Sequence, residues 1–227
     1  MNKKIFTILA VSLFAVSCKK NDLPAPPAAA VKFMSLTAAS TWNYETVDNI
    51  LISTSPYIIT STSKDSSING KTYHVFTNSS GSANEYYNIS GSDYYNFRKL
   101  PSALGATSVE YIYLKDNAEV GTSWSQSYPV NVSGTSLNAT LKNTITAKGT
   151  SKTVKGVTYA DVIHVTTTVT ISFLGIPLPA SALTTDIQSY YAPKVGLIQS
   201  TNKINLNYAG VVDNSNQQTN LNTSNIK

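Results

Sequence analysis

Ile163-His164-Val165-Thr166-Thr167-Thr168-Val169-Thr170-Ile171-Ser172-Phe173 decides the fold class. Odd positions are apolar apart from Thr167, and even positions are polar. Successive side chains of a strand point to opposite faces, so this run reads as a strand with one buried face. The same alternation appears in Leu141, Ile145 and Ala147 against Lys142, Thr144 and Thr146. It appears again in Ile204, Leu206 and Tyr208 against Lys203, Asn205 and Asn207. Asn69-Gly70, Ser80-Gly81, Ser90-Gly91, Ser133-Gly134 and Lys155-Gly156 mark turns between such runs. No long window carries a helical period. Only Ala180–Tyr190, with Pro179 before it and Pro193 beyond it, is expected to form one or two helical turns. The expectation is an all-β chain with an antiparallel curved sheet, or a partly open barrel or sandwich, with at most short helical turns.

The β region is expected over residues 33–210, built from two similar halves at about 33–118 and 119–210. Ile68-Asn69-Gly70-Lys71-Thr72-Tyr73 resembles Val154-Lys155-Gly156-Val157-Thr158-Tyr159. Trp42 and Trp124 precede the two copies, and Tyr86-Tyr87 and Tyr190-Tyr191 follow them. Residues 211–227 are polar and are expected to be a disordered tail.

Met1–Lys4 is basic, Ile5–Val16 is an uncharged apolar run, and Ala15-Val16-Ser17 leads into Cys18, the only cysteine of the chain. This is the layout of a lipoprotein signal peptide over residues 1–17, with Cys18 the lipidated residue. The apolar run is too short to span a hydrocarbon core of ~30 Å. An ordinary secretory signal is the alternative, but it would leave an unpaired thiol in an oxidising compartment. Residues 18–32 then form the acylated N-terminus and a Pro/Ala-rich tether, Leu23-Pro24-Ala25-Pro26-Pro27, whose prolines favour extended backbone. The expected location is the cell envelope, as an outer-membrane lipoprotein. Its orientation, periplasmic or surface-facing, is left open, because Asp22 is the only acid near Cys18.

The chain has 227 residues, 17 Lys and Arg against 12 Asp and Glu, and a formal charge of +5. Two of those lysines, Lys3 and Lys4, leave with the signal. The remaining positive charge is scattered and includes one arginine, Arg98, so no basic face points to nucleic acid. With one cysteine, no disulfide within the chain can support the fold, and the core must do so alone.

Tyr190-Tyr191-Ala192-Pro193-Lys194-Val195-Gly196-Leu197-Ile198 resembles the YYA-x-x-VGL ending of uncharacterised Bacteroidota lipoproteins with a TapB-like β domain. Trp42 with Tyr44, and Gly156 with Tyr159, add to the resemblance. It implies a curved antiparallel sheet or partly open barrel and carries over no catalytic residue.

Neither histidine, His74 or His164, has metal-ligand spacing to a partner, so no metal and no cofactor is expected. No G-x-S-x-G elbow marks a nucleophile, and spacing selects no pair among Glu45, Glu85, Asp93, Glu110, Asp116, Glu119, Asp161 and Asp186. No catalytic residue is assigned. The candidate ligand-binding residues are the adjacent pairs Tyr86-Tyr87, Tyr94-Tyr95 and Tyr190-Tyr191, since one ring of each must leave the core. The second candidate is the apolar run holding Phe173, Leu174, Ile176 and Leu178, read as a contact patch or as a lid on its own sheet. The expected function is a non-catalytic binding or envelope-interaction module for a glycan, peptide or protein. The alternatives are a lipid or lipoprotein carrier with a half-open barrel, and a hydrolase. The partners expected are the lipid membrane, through Cys18, and an envelope glycan or protein.

Overall fold

The structure is a computed structural model and describes residues 31–100, 108–132 and 134–227. The signal, Cys18 and the tether up to residue 30 lie outside the described residues. The chain forms β1 (Thr41–Asp48), β2 (Ser53–Ile68), β3 (Lys71–Asn78), β4 (Glu85–Ser90), β5 (Asp93–Lys99), β6 (Ser108–Lys115) and β7 (Ser123–Val132). It continues with β8 (Thr135–Val154), β9 (Val157–Phe173), β10 (Ile176–Pro177), β11 (Leu183–Ala192), β12 (Gly196–Tyr208) and β13 (Val211–Asn225). Among the described residues there is no helix.

All pairings are antiparallel. The sheet runs β6-β5-β4-β3-β2-β1-β13-β12-β11-β9-β8-β7, with β10 folded back on β9. It curls into a barrel with one seam left open between β6 and β7, as the all-β expectation required. The long alternating run is β9. Its Val165, Thr167, Val169 and Ile171 pair with Ile145, Asn143, Leu141 and Ala139 of β8 and share their inner face. Register shifts interrupt the β8–β9, β2–β3 and β5–β6 ladders. Such bulges bend a strand and raise its twist, which lets a long sheet curl toward closure.

Two expectations are corrected. Residues 211–225 are strand β13, paired with β1 on one side and β12 on the other. Its polar side chains misled the reading, because a strand between two neighbours is held by its ladder and needs few apolar residues; Leu221 alone is fully buried. Ala180–Tyr190 holds one turn at its start, where Ala182 N and Leu183 N donate to Pro179 O at 2.8 and 3.2 Å, and no helix beyond it. From Leu183 it is β11, where Leu183, Thr185, Ile187, Ser189 and Tyr191 alternate onto one face, and a period of two outweighs the flanking prolines.

The 118/119 boundary falls in the loop between β6 and β7, at the seam. With β10 set aside, β1–β6 and β7–β13 carry their landmarks in the same order. The tryptophan lies on the first strand, the Asn69-Gly70 or Lys155-Gly156 turn joins the second and third, and the tyrosine pair lies on the fourth. Both turns hold two residues at positive φ, the geometry that suits a two-residue hairpin.

One end of the barrel is plugged by the segment preceding β1. Lys194 N donates to Lys32 O at 2.6 Å. Phe33 N donates to the Tyr94 hydroxyl at 2.9 Å, and the Tyr113 hydroxyl lies 3.2 Å from Met34 Sδ. Met34 and Leu36 pack on a core of Trp42, Tyr44, Ile59, Phe76 and Leu221, and Phe33 on a second built round Tyr94, Tyr113 and Tyr191. A third core, with Val130, Val132, Leu137 and Ile171, fills the far end on the β7–β9 side. The rest of that end, beside the β1–β2 and β3–β4 loops, is unfilled.

Candidate functional site: the barrel interior

The unfilled interior is a cavity of about 940 Å³. It runs from Met34, Trp42 and Leu197 at the plugged end to Ser82, Ala83 and Asn84 in the β3–β4 loop. Those three loop residues are exposed, so the cavity opens at the end opposite the plug. Its volume falls in the usual range of small-molecule sites.

One wall is aromatic. Tyr44 stacks on Tyr57 with centroids 5.5 Å apart. Tyr113 touches Tyr87 at 5.9 Å, Tyr111 at 6.2 Å and Tyr191 at 5.5 Å. All six line the cavity. Burial pushes the phenols of Tyr44, Tyr87 and Tyr113 well above the ordinary tyrosine value, so each stays a neutral donor. The Glu85 carboxylate adds to that rise at Tyr44 and Tyr87. Glu85 accepts hydrogen bonds from the Tyr87 hydroxyl at 2.5 Å and from Asn78 Nδ2 at 3.1 Å. The facing wall, from β9, β11, β12 and β13, mixes Val169, Ile187 and Ile204 with Thr185, Asn202 and Gln217. Arg98 enters from β5, its Cζ 5.1 Å from the centre of the Tyr111 ring.

The seam forms one edge of this interior. No backbone ladder joins β6 and β7. Instead Trp124 Nε1 donates to Ile112 O at 2.8 Å, and the Tyr128 hydroxyl donates to Glu110 O at 2.6 Å. Gln126 Oε1 accepts from Ile112 N at 2.5 Å, and Asn143 Nδ2 donates to Ile112 O at 2.9 Å. Trp124, Gln126 and Tyr128 alternate along β7, so one row of side chains takes the place of a strand.

Two of the three adjacent tyrosine pairs, Tyr94-Tyr95 and Tyr190-Tyr191, split between the interior and the outside. Tyr87 and Tyr191 reach the cavity from inside. Tyr94 is fully buried below it, its hydroxyl donating to Asp116 at 2.6 Å. Tyr86 also borders the cavity and meets Phe97 edge-on. Tyr95 lies away from it beneath the Lys71 ammonium, 4.2 Å from the ring centre. Tyr190 is outside as well, stacked on His164 at 4.1 Å with Lys152 Nζ 4.0 Å from its ring. Phe173, Leu174 and Ile176 do not line the cavity. Phe173 and Ile176 pair across a tight turn, and Leu174 is 85% exposed at its tip. Leu178 alone folds inward, onto the third core. The sequence reading missed Tyr44, Tyr57, Tyr111, Tyr113 and Arg98. The available signal was spacing i, i+2, as in Tyr111 and Tyr113, which keeps two rings on one face where adjacent pairs divide them.

Ser61, His74 and Asp65 have a connectivity that sequence did not disclose. Ser61 Oγ lies 3.0 Å from His74 Nε2, and His74 Nδ1 lies 2.8 Å from Asp65. These are the contacts of a nucleophile, base and orienting acid. Ser61 is 1% exposed, its hydroxyl also lies 3.1 Å from Leu36 O, and its N–H is spent on Ser40 O. It does not line the cavity. The group ties the β2–β3 hairpin to the plugging segment. The carboxylates likewise hold structure: Glu110 with Lys71, Asp93 with Lys115, Glu45 with Lys155. Among the described residues no cluster of three or more His, Cys, Asp or Glu is placed to hold a metal ion.

No protein-family model matches the chain, and no curated protein matches it. Two solved structures do. The crystal structure of a putative lipoprotein from Parabacteroides distasonis aligns over 86% of this chain and 99% of that one, with a TM-score of 0.51 and 13% identity. That of a putative exported protein with a YmcC-like fold from Bacteroides fragilis aligns over 86% of this chain and 100% of that one, with a TM-score of 0.49 and 7% identity. At 13% identity the first likeness is one of fold, a barrel-shaped antiparallel sheet over nearly the whole of that chain.

Proposed function

We propose that this chain is an outer-membrane lipoprotein, anchored through acylated Cys18, whose half-open barrel binds an envelope glycan without turning it over. The observation that carries the reading is the 940 Å³ cavity, open at one end and walled by neutral tyrosines opposite hydroxyl and amide side chains. Tyrosine offers an apolar face for a sugar ring and a hydroxyl for its polar edge. The resemblance of Tyr190–Ile198 to Bacteroidota lipoproteins with a TapB-like β domain also favours an anchored protein. So does the shared fold with the putative lipoprotein from Parabacteroides distasonis. The matching order of landmarks in the two halves supports descent by duplication. Burial of Ser61 favours a binding protein over a hydrolase.

A carrier of acyl chains is the second reading, favoured by exposed Ile50, Leu51 and Ile52 on the β1–β2 loop and Leu174 and Ile176 beside β9. Pull-down of envelope glycans by the full chain in detergent, with Thr185→Trp filling the cavity and Tyr57→Ala removing a wall ring, tests the proposal. Both variants should lose most of the captured glycan while keeping their melting temperature within a few degrees. Equal capture by the cavity-filled protein would overturn it.

A further inference from the structure

Arg98 is the chain's only arginine, and the cavity explains its position. Its side chain lies on the face of β5 that carries Asn96, beside Val109 and Tyr111 of β6. The guanidinium sits over the Tyr111 ring. Its positive charge is felt at Tyr111, Tyr128 and Tyr191, three tyrosines gathered at the seam side of the interior. Among the described residues no carboxylate is within ion-pair distance of it. The neighbouring stretch Pro101-Ser102-Ala103-Leu104-Gly105-Ala106-Thr107, outside the described residues, contains no acid at all.

The other charged residues lining the cavity are Glu85, Lys99 and Asp213. Glu85 is occupied by Tyr87 and Asn78. Lys99 follows Arg98 directly, is exposed, and by parity turns toward the opposite face of β5. A guanidinium held by an aromatic face presents its planar fork of N–H donors in one orientation, which matches a carboxylate bidentately. Arg98 is exposed near the end of β5, so its guanidinium stands free at the cavity wall to meet an anionic group of a ligand.

We propose that the ligand is an acidic glycan, its uronate carboxylate bound by Arg98 and its sugar rings laid against the cavity tyrosines. This rests on the binding function proposed above and names its ligand class. The amides and hydroxyls of Thr185, Ser189, Asn202 and Gln217 then face the sugar hydroxyls. A fatty acid would share the carboxylate but would offer no polar groups to that row, of which Gln217 already donates to Asp48.

Titration calorimetry of the full chain in detergent tests this. The probes are a glucuronate-containing oligosaccharide, its carboxyl-reduced neutral counterpart, and palmitate. The wild type should bind the acidic sugar at least about tenfold more tightly than the neutral one, less so as salt rises. Arg98→Gln should weaken the acidic sugar at least about tenfold more than the neutral one and so remove that preference, while Arg98→Lys should restore only part of it. Equal binding of acidic and neutral sugars by the wild type overturns the Arg98 role. So does an Arg98→Gln variant that weakens both alike. If binding of the neutral sugar persists and is abolished by Thr185→Trp, the cavity reading survives that failure. If no sugar binds in a way sensitive to Thr185→Trp, both fall. Arg98-dependent binding of palmitate alone would overturn the glycan class in favour of the carrier.

Discussion

The indole N–H of Trp124 donates to the backbone carbonyl of Ile112 across 2.8 Å, at the one place where the barrel lacks a strand-to-strand ladder. Trp124→Phe keeps an aromatic ring, smaller than the indole, and removes the donor. A hydrogen bond of this kind contributes about 0.5–1.5 kcal/mol net. The variant should lose at least that much stability in urea unfolding, since ring volume goes too, and hydrogen exchange of β6 and β7 amides should speed up ahead of the rest of the sheet. Unchanged exchange at the seam would show that the bond does not hold it.

The tyrosine pairs should respond unequally. Tyr191 is buried against Tyr113, and removing it should cost about 3–5 kcal/mol. Tyr190, half-buried between His164 and Lys152, should cost less than half of that as Tyr190→Ala. The same contrast is expected between Tyr87→Ala and Tyr86→Ala. Equal losses within a pair would contradict the split across the sheet.

Gly196 has φ of +92°, and a Cβ there would lie 3.1 Å from the carbonyl oxygen of Phe33. Gly196→Ala is expected to destabilise by more than about 1 kcal/mol. It should also loosen the plugging segment, read as faster proteolytic cleavage between residues 31 and 40. Protection equal to the wild type would mean that the segment tolerates the displacement.

His164 gives a pH signature. Burial lowers its pKa below the ordinary 6.5, and the nearby Lys152 charge acts in the same direction. Its Nδ1 lies 2.9 Å from the Thr146 hydroxyl, and its ring lies against Tyr190. Because the folded value is the lower one, the unfolded chain takes up the proton first as pH falls through about 6.5. This contribution to stability is therefore complete above that value and declines below it. Melting temperatures from pH 8 to 5 should fall less steeply for His164→Gln than for the wild type. Glu45 and Asp48, whose pKa values are lowered by the Lys155 ammonium and by the Leu51 N–H respectively, act at lower pH and do not interfere.

Cys18→Ala should abolish labelling by a fatty-acid analogue and leave the precursor uncleaved. Two or more acyl chains make anchoring stable where one does not, so the unlabelled, uncleaved variant should also be missing from the outer-membrane fraction. Equal labelling of both forms would refute lipidation at this residue.

Alternation along residues 163–173, and the turn pairs between such runs, were enough to read antiparallel strands, because side-chain direction in a strand depends only on residue parity. Parity also divides each adjacent tyrosine pair before any contact is known. The same local view failed at β13 and at Ala180–Tyr190. Whether a polar stretch is a strand depends on neighbours far away in the chain, here β1 and β12. The cavity was illegible for a related reason. Tyr44, Tyr87, Tyr113, Tyr191 and Arg98 come from five different strands, and only closure of the sheet brings them to one interior. Sequence by itself determined the alternating strands and the turns between them, both set by local geometry and composition. The tertiary structure alone decided which faces meet, where the barrel stays open, and that the arginine points into it, because those follow from long-range register.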